Sequence, residues 1–332
     1  MKLPIDRRYV PIAATVLVAV LLYVGVGLVY PNFSSLRVFV NFFRDNAFLG
    51  VIATGMTFVI LSGGIDLSVG SMIAFVGILC ASLIEKAGVN PLVAFAVALA
   101  CGALIGLAMG CLIHFFKAPP FIVTLAGMFF CRGLANVISL ESIPINHALF
   151  KSIMRFGVTV SGSIKVPTTV LVFLFVFLVF LYVAHFTRFG RDVYAIGGSA
   201  QSALLMGLRI GRTRVLAYTL SGLLSSLAGI VYILNTPAGN SLSGLGVELD
   251  AIACVVIGGT LLSGGVGYLA GTLVGVLIQA IIKTFLTFSS LSSWWAKIAI
   301  GVLIMLFILL QRGFSQISAL SRGKATARAV GG

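Results

Sequence analysis

One carboxylate interrupts a long apolar stretch. Between Asn46 and Ile84, about forty residues, Asp66 is the one charged side chain. It sits in ILSGGIDLSVGS (60–71), beside Ser62, Gly63, Gly64, Ser68 and Gly70. Gly costs helix entropy and Ser competes for backbone hydrogen bonds, so these neighbours break a helix or turn the chain. Irregular backbone at membrane depth survives where protein or a water-filled cavity satisfies it. An ionisable residue in such a stretch marks a gate or a coupling contact. The competing reading is a tight turn at the membrane surface with a solvated Asp66.

Other charges near apolar runs are few. Arg132, in FFCRGLA, lies in a run or close to its outer end. A central Arg costs ~2.5–3.5 kcal/mol on insertion scales, so it must snorkel, pair or line water. Glu248 and Asp250 open another run. Two residues apart on a helix, they point in different directions. Asp250 pairs with Arg132 if the two spans adjoin; otherwise both acids are solvated at a helix N-terminus, where the dipole favours them.

The remaining chemistry is mostly exclusion. No G-x-x-x-x-G-K-[ST] occurs, since Arg322-Gly323-Lys324-Ala325 lacks the upstream Gly and the hydroxyl. The chain therefore has no P-loop for ATP. Gly265-Val266-Gly267 then Ala270 imitates a dinucleotide fingerprint, but without a strand before it. His114, His147 and His185 are scattered, and Cys80, Cys101, Cys111, Cys131 and Cys254 lie in apolar runs with neither metal nor disulfide spacing.

The elements that must position these residues are membrane helices. The chain is 60% hydrophobic and 9% charged, with mean hydropathy +1.16. That composition means an all-α polytopic membrane protein. Apolar runs at about 9–30, 46–61, 67–84, 91–115, 120–140, 166–186, 214–236, 248–262, 266–287 and 294–311 make about ten spans. Lys2, Arg7 and Arg8 precede the first run in the manner of a signal peptide, yet no A-x-A cleavage site follows, so a retained first span is expected. Thirteen Lys and Arg residues fall on the side of the termini and six on the other. This asymmetry places both termini in the cytoplasm, and explains the net charge of +14 without nucleic acid as a partner. No stretch is long and polar enough for a separate soluble domain, so residues 1–332 read as one transmembrane permease domain with a tail at about 312–332.

Two connections are long. The outer one, about 141–165, reads as a turn-rich surface segment. The inner one, about 187–213, holds a stub in which Ser199 caps, Ala200–Met206 is helical and Gly207 ends. Its apolar face is Ala200, Ala203 and Leu204, with Arg188 and Arg191 as anchors. A short apolar helix shown to the cytoplasm docks a partner; the other reading is a helix lying on membrane lipid. Gly102, Gly106 and Gly110, then Gly271 and Gly275, have the spacing that lets helices approach closely. Trp294 and Trp295 fit an interfacial belt. VIGGTLLSGGVGYLAG (256–271) echoes 60–71, and composition alone accounts for the echo.

Few charges and many hydroxyls suit a neutral, hydroxyl-rich solute, carried by a permease with a docking loop and no motor of its own. The alternatives are a self-contained proton-coupled sugar carrier, which needs Asp66 to titrate, and a membrane scaffold that carries nothing.

DNAFLGVIATGMTFVILSGGIDLSVGS (45–71), APPFIVTLAGMFFCRGLA (118–135), ESIPI (141–145), TRFGRDVYAIGGSAQSALLMGLRI (187–210) and GVELDAIACVVIGGTLLSGGVG (246–267) resemble the ribose-type sugar permeases of ABC importers. ESIPI and SLSSWWAKIAIG (290–301) are similar to the galactofuranose importers within that family. Cys131 departs from the bulkier apolar residue expected there. The resemblance implies a multi-pass subunit of the bacterial inner membrane that moves a monosaccharide. It would pair with a second homologous permease, engage an ATP-binding cassette subunit and receive sugar from a periplasmic binding protein. The chain would bind no cofactor, ATP-Mg being held by the partner. It also implies that 187–210 is the coupling loop, with 199–206 as its helix, so that Arg188, Gly190, Arg191, Ser199, Ala200, Ala203, Leu204 and Gly207 form the coupling set; the residues read by themselves give the gate or pathway set of Gly63, Gly64, Asp66, Ser68, Arg132 and Asp250.

Overall fold

The computed structural model describes residues 10–161, 164–292 and 294–309. The expected tail and the basic residues at both extremities lie outside the described residues.

Among the described residues, eight helices are long and apolar enough to cross a membrane. They are α1 (Val10–Val29), α2 (Leu36–Leu61), α3 (Val69–Ala81, extended by a π turn Ser82–Lys86), α4 (Pro91–Phe115), α5 (Pro120–Ile138), α7 (Thr168–Phe186), α10 (Ile210–Asn235) and α12 (Leu269–Phe288). Shorter helices are α6 (Ala148–Arg155), α8 (Arg188–Gly198), α9 (Ala200–Leu205), α11 (Val247–Ile257) and α13 (Trp294–Leu309).

The most apolar helices lie outside and the more polar ones inside. In its most apolar window α2 is 83% buried, whereas α1 is 6% buried. Lipid is as apolar as Leu, so burial selects for close fit and internal hydrogen bonding rather than for hydropathy. Accordingly α2 carries Asn46, Thr54 and Thr57, which bond the carbonyls of Phe42, Gly50 and Ala53 one turn back. Thr57 also meets Thr272 of α12 at 2.9 Å. α2 packs against α7, α10, α11 and α12 and forms the centre.

The expected small-residue seams are present. Gly102, Gly106 and Gly110 of α4 face Ser226, Gly222, Tyr218 and Val215 of α10 so closely that a Cβ would strike backbone or Ser226 Oγ. Gly271 and Gly275 do the same for α12 against the carbonyls of Gly258 and Cys254.

Three expectations change. The second span is not short: its helix begins at Leu36 and takes in Arg37 and Arg44, because Ser35 accepts a hydrogen bond from Val38 N as its N-cap. The outer connection is ordered rather than simply turn-rich, holding α6 and a hairpin of β2 (Gly157–Ser161) with β3 (Ile164–Pro167). Glu85 Oε1 secures it by accepting from Asn146 N and His147 N at 2.6 and 3.0 Å. The eighth apolar run is not a through-helix. β4 (Ala238–Gly239) pairs with β1 (Ile143–Pro144), the chain runs on without helix to Gly246, α11 follows, and 258–268 is again non-helical.

The echo between 60–71 and 256–271 is conformational, not a matter of composition. α2 ends with Gly63 at φ +83 and bonds from Gly63 N to Ile60 O and Gly64 N to Val59 O. α11 ends with Gly259 at φ +90 and the matching bonds from Gly259 N to Val256 O and Thr260 N to Val255 O. Both are left-handed helix stops that need Gly. The two stops also lead into one junction, where Gly265 N donates to Leu61 O at 2.9 Å.

Candidate functional site

Asp66 lies in the linker between α2 and α3 and is fully buried, so it is not the solvated turn residue of the simpler reading. Its Oδ1 accepts from Ser68 N at 2.9 Å and Ser68 Oγ at 2.6 Å. Its Oδ2 accepts from Ser221 Oγ of α10 at 2.7 Å. The preceding carbonyl, Ile65 O, accepts from Thr124 of α5 at 3.3 Å and from Tyr218 of α10 at 3.4 Å. Gly64 lies against the Tyr218 hydroxyl. The linker is thus tied by hydroxyls to α5 and α10. No cation stands in ion-pair range of Asp66 among the described residues; its carboxyl group is held by hydrogen bonds alone.

Arg132 and Asp250 do not meet. Asp250 Oδ2 pairs with Lys283 Nζ of α12 at 2.9 Å, and Gln279 Nε2 bonds Asp250 O. α11 runs alongside α12 through the Gly271–Gly275 seam, and this puts Lys283 within reach. Arg132 instead donates from Nη1 to Ser241 O and to Ser243 O, the latter at 2.9 Å. Those carbonyls belong to the non-helical stretch before α11. Arg132 is twelve residues beyond Pro120, about 18 Å along α5. That is a little over half of a ~30 Å hydrocarbon layer, and Gly239 and Gly244 lie against Gly77 and Gly70 of α3, so the stretch 237–246 starts beside the outer connection and dips down among the spanning helices. Glu248 lies against Gly70 at the start of α3 and within electrostatic reach of Arg132.

The inner connection forms the caps foreseen for it. Ser199 Oγ accepts from Ser202 N at 3.2 Å. Gly207, at φ +79, donates to Leu204 O, and Leu208 N donates to Ala203 O. The apolar face is differently placed, however. Ala203 is buried, while Leu204, Leu205 and Met206 are exposed. Helix α8, unforeseen, precedes the stub. Thr187 caps it by accepting from Gly190 N at 3.2 Å, and Gly190 packs on the carbonyls of Val183 and Ala184. Arg188 and Arg191 are exposed.

α8 is what joins the two sets of residues. Its Gly197 sits against Leu61 O and Gly265 N, so a Cβ would collide with both. Its Tyr194 donates to Gly267 O at 3.0 Å. Burial pushes that phenol up to about 12, so it remains a donor at any cellular pH. The cytoplasmic connection is therefore seated on the ends of both helix breaks. Beside it, a cavity of about 680 Å³ is lined by Gly63, Gly64, Lys117, Leu204, Arg214 and Tyr218 among others.

Sequence reasoning missed Ser221, Tyr218, Lys283, α8 and the dip at 237–246. The last had a signal: PAGNSLSGLG lies between two apolar runs and is rich in Gly, Ser and Asn. No cluster of His, Cys, Asp and Glu fit to hold a metal occurs among the described residues.

A family model described as "branched-chain amino acid transport system / permease component" matches residues 38–309. The inner membrane ABC transporter permease protein YjfF of Escherichia coli is 52% identical over 310 residues, covering 93% of this chain and 94% of its own. The fructose import permease protein FruG of Bifidobacterium longum is 38% identical, covering 93% and 92%. The ribose import permease protein RbsC of Escherichia coli is 39% identical, covering 90% and 91%. No solved structure matches. A family match running from α2 to the end of α13 and relatives aligned almost end to end give one conclusion: the chain belongs to this permease family, as a ribose-type ABC importer permease of the bacterial inner membrane.

Proposed function

We propose that this chain is the translocation subunit of an ATP-driven importer of a monosaccharide. The observation that carries the reading is the exposed apolar stub α9, seated through α8 on both helix breaks. Exposed Leu204, Leu205 and Met206 have no use in cytoplasm unless a partner covers them. That partner is an ATP-binding cassette subunit, which holds the ATP-Mg; this chain binds none. A second homologous permease completes the pathway, and a periplasmic sugar-binding protein delivers the solute.

The chemistry runs through contacts. ATP binding brings two cassette subunits together and moves the stubs docked on them. α8 moves with the stub. Gly197 and Tyr194 pass the shift to the Leu61–Gly265 junction and to Gly267. Both breaks respond, one carrying Asp66 and the other leading back to α11 and Glu248. Arg188 and Arg191 anchor the connection on the partner or on membrane lipid.

For the solute, galactofuranose is the specific proposal. It rests on the resemblance of ESIPI and the 290–301 segment, and on relatives named for ribose and fructose, sugars that also form five-membered rings.

Affinity purification in mild detergent tests the reading. The expected result is co-purification of a P-loop ATPase and a second permease, with reconstituted uptake of galactofuranose that stops without ATP. Uptake driven by a pH gradient in ATP-free vesicles would transfer the role of Asp66 to a proton carrier. Co-purifying partners with no solute flux would leave a scaffold.

A further inference from the structure

The stretch 237–246 is backbone without helix that descends from the outer connection, where Ala238–Gly239 pairs with Ile143–Pro144, to Gly70 at the start of α3. Arg132 holds it there through the carbonyls of Ser241 and Ser243. Both bonds come from Nη1, so the N–H groups on Nε and Nη2 have no protein partner among the described residues. The Glu248 carboxylate is half-buried, within electrostatic reach of Arg132, and makes no ion pair among the described residues. Asn240 and Ser243 are also half-buried. On the same stretch and on α11, Leu242, Leu245 and Leu249 are exposed.

Two environments could meet this face: hydrocarbon or water. Hydrocarbon offers no partner to a guanidinium, a carboxylate or open carbonyls, so such backbone is tolerated only where it lines an aqueous cavity or is buried in protein. The outer face of α7 shows the contrast, since Phe175, Leu178 and Tyr182 present almost pure apolar surface. Guanidinium N–H groups donate and a carboxylate accepts, so together they recognise a solute whose hydroxyls do both.

We propose that Pro237–Glu248, held by Arg132, lines the water-filled pathway at half depth, and that the free N–H groups of Arg132 together with Glu248 contact the hydroxyls of the passing sugar. The solute class rests on the proposed function; the aqueous lining does not. The exposed leucines flank this polar locus and narrow the pathway where the second permease closes it.

The test uses cells expressing the whole transporter. Single cysteines replace Leu242, Leu245 and, as a lipid-facing control, Phe175, in the native background, where Cys80, Cys131 and Cys254 are buried and the half-buried Cys101 and Cys111 set the parent's baseline. A membrane-impermeant cationic methanethiosulfonate is added from the periplasmic side. Labelling of Leu242→Cys or Leu245→Cys, well above both the parent and Phe175→Cys, is expected; labelling no greater than theirs overturns the lining. Separately, Glu248→Gln keeps the shape beside Gly70. It is expected to raise KM for galactofuranose, ribose or fructose uptake about tenfold at unchanged membrane level, since losing a buried polar match costs at least that. An unchanged KM overturns the sugar contact. Labelled cysteines in a transporter that carries none of these sugars would sink the sugar reading and leave the lining intact.

Discussion

Asp66 is a buried carboxyl group with no cation in ion-pair range among the described residues, and holding a charge there on hydrogen bonds alone would be expensive. Asn would keep the geometry. Its Oδ1 would accept from Ser68, and its Nδ2 would donate to Ser221 Oγ. Asp66→Asn should therefore insert normally and melt no lower than the parent. Uptake should fall about tenfold, equivalent to ~1.4 kcal/mol of barrier, if the charge serves the transport cycle. Uptake assays normalised to membrane-inserted protein, with thermal melting in detergent, check both halves; full uptake would reduce Asp66 to a turn residue. The Asp250–Lys283 pair is different, being partly exposed at 25% and 36%. Such pairs contribute ~1 kcal/mol or less, and Asp250→Asn should lower the melting point only slightly.

At the scale of elements, close approach replaces hydrophobic drive. The α4–α10 seam has no room for a side chain at Gly106, where Tyr218 O and Gly222 Cα lie. Gly106→Val should destabilise the protein by at least ~1–3 kcal/mol through overpacking, seen as loss of monodisperse protein after detergent extraction. A Cβ at Gly133 on α5 would meet nothing within 4 Å among the described residues, and Gly133→Ala should be tolerated. The stub gives a second prediction. Ala203 is buried and Leu204 and Leu205 are exposed, so Leu204→Asp with Leu205→Asp should leave insertion intact. It should cut ATP-dependent uptake at least about tenfold, within the range of allosteric coupling energies, and co-purification of the ATPase should fail. Ala203→Asp tests less, because it would also disturb packing.

For the molecule as a whole, polar content is ordered from centre to rim. α2, α3 and α10 are the most buried of the long helices, while α1, α4, α5 and α7 turn Leu, Val and Phe outward. The helix breaks converge on one junction under α8, so motion of the cytoplasmic connection and motion of the breaks cannot be independent. Gly197→Leu would wedge Leu61 O from Gly265 N. Its expected phenotype is a complex that assembles and hydrolyses ATP but imports at least about tenfold less sugar. Measuring ATPase activity and uptake on one preparation decides it; uptake in step with hydrolysis would exclude α8 as the link.

The sequence by itself determined the class, most of the crossings and the caps. Hydropathy over ~20 residues and the count of Lys and Arg are local or additive quantities, and the caps at Ser199 and Gly207 act within one turn. Small-residue seams were legible for the same reason, as spacing on one helix. Only the tertiary structure decided the partners of charges. Asp250 took Lys283 rather than Arg132 because the Gly271–Gly275 seam lays α11 along α12. Asp66 became buried because Ser221, Tyr218 and Thr124, distant in sequence, supply its setting. The eighth crossing broke because Gly258 and Gly259 stop α11, and Arg132 holds the dip before it through backbone carbonyls. Carbonyl acceptors look alike at every position in a sequence, and only the packing of helices shows which of them a charge will meet.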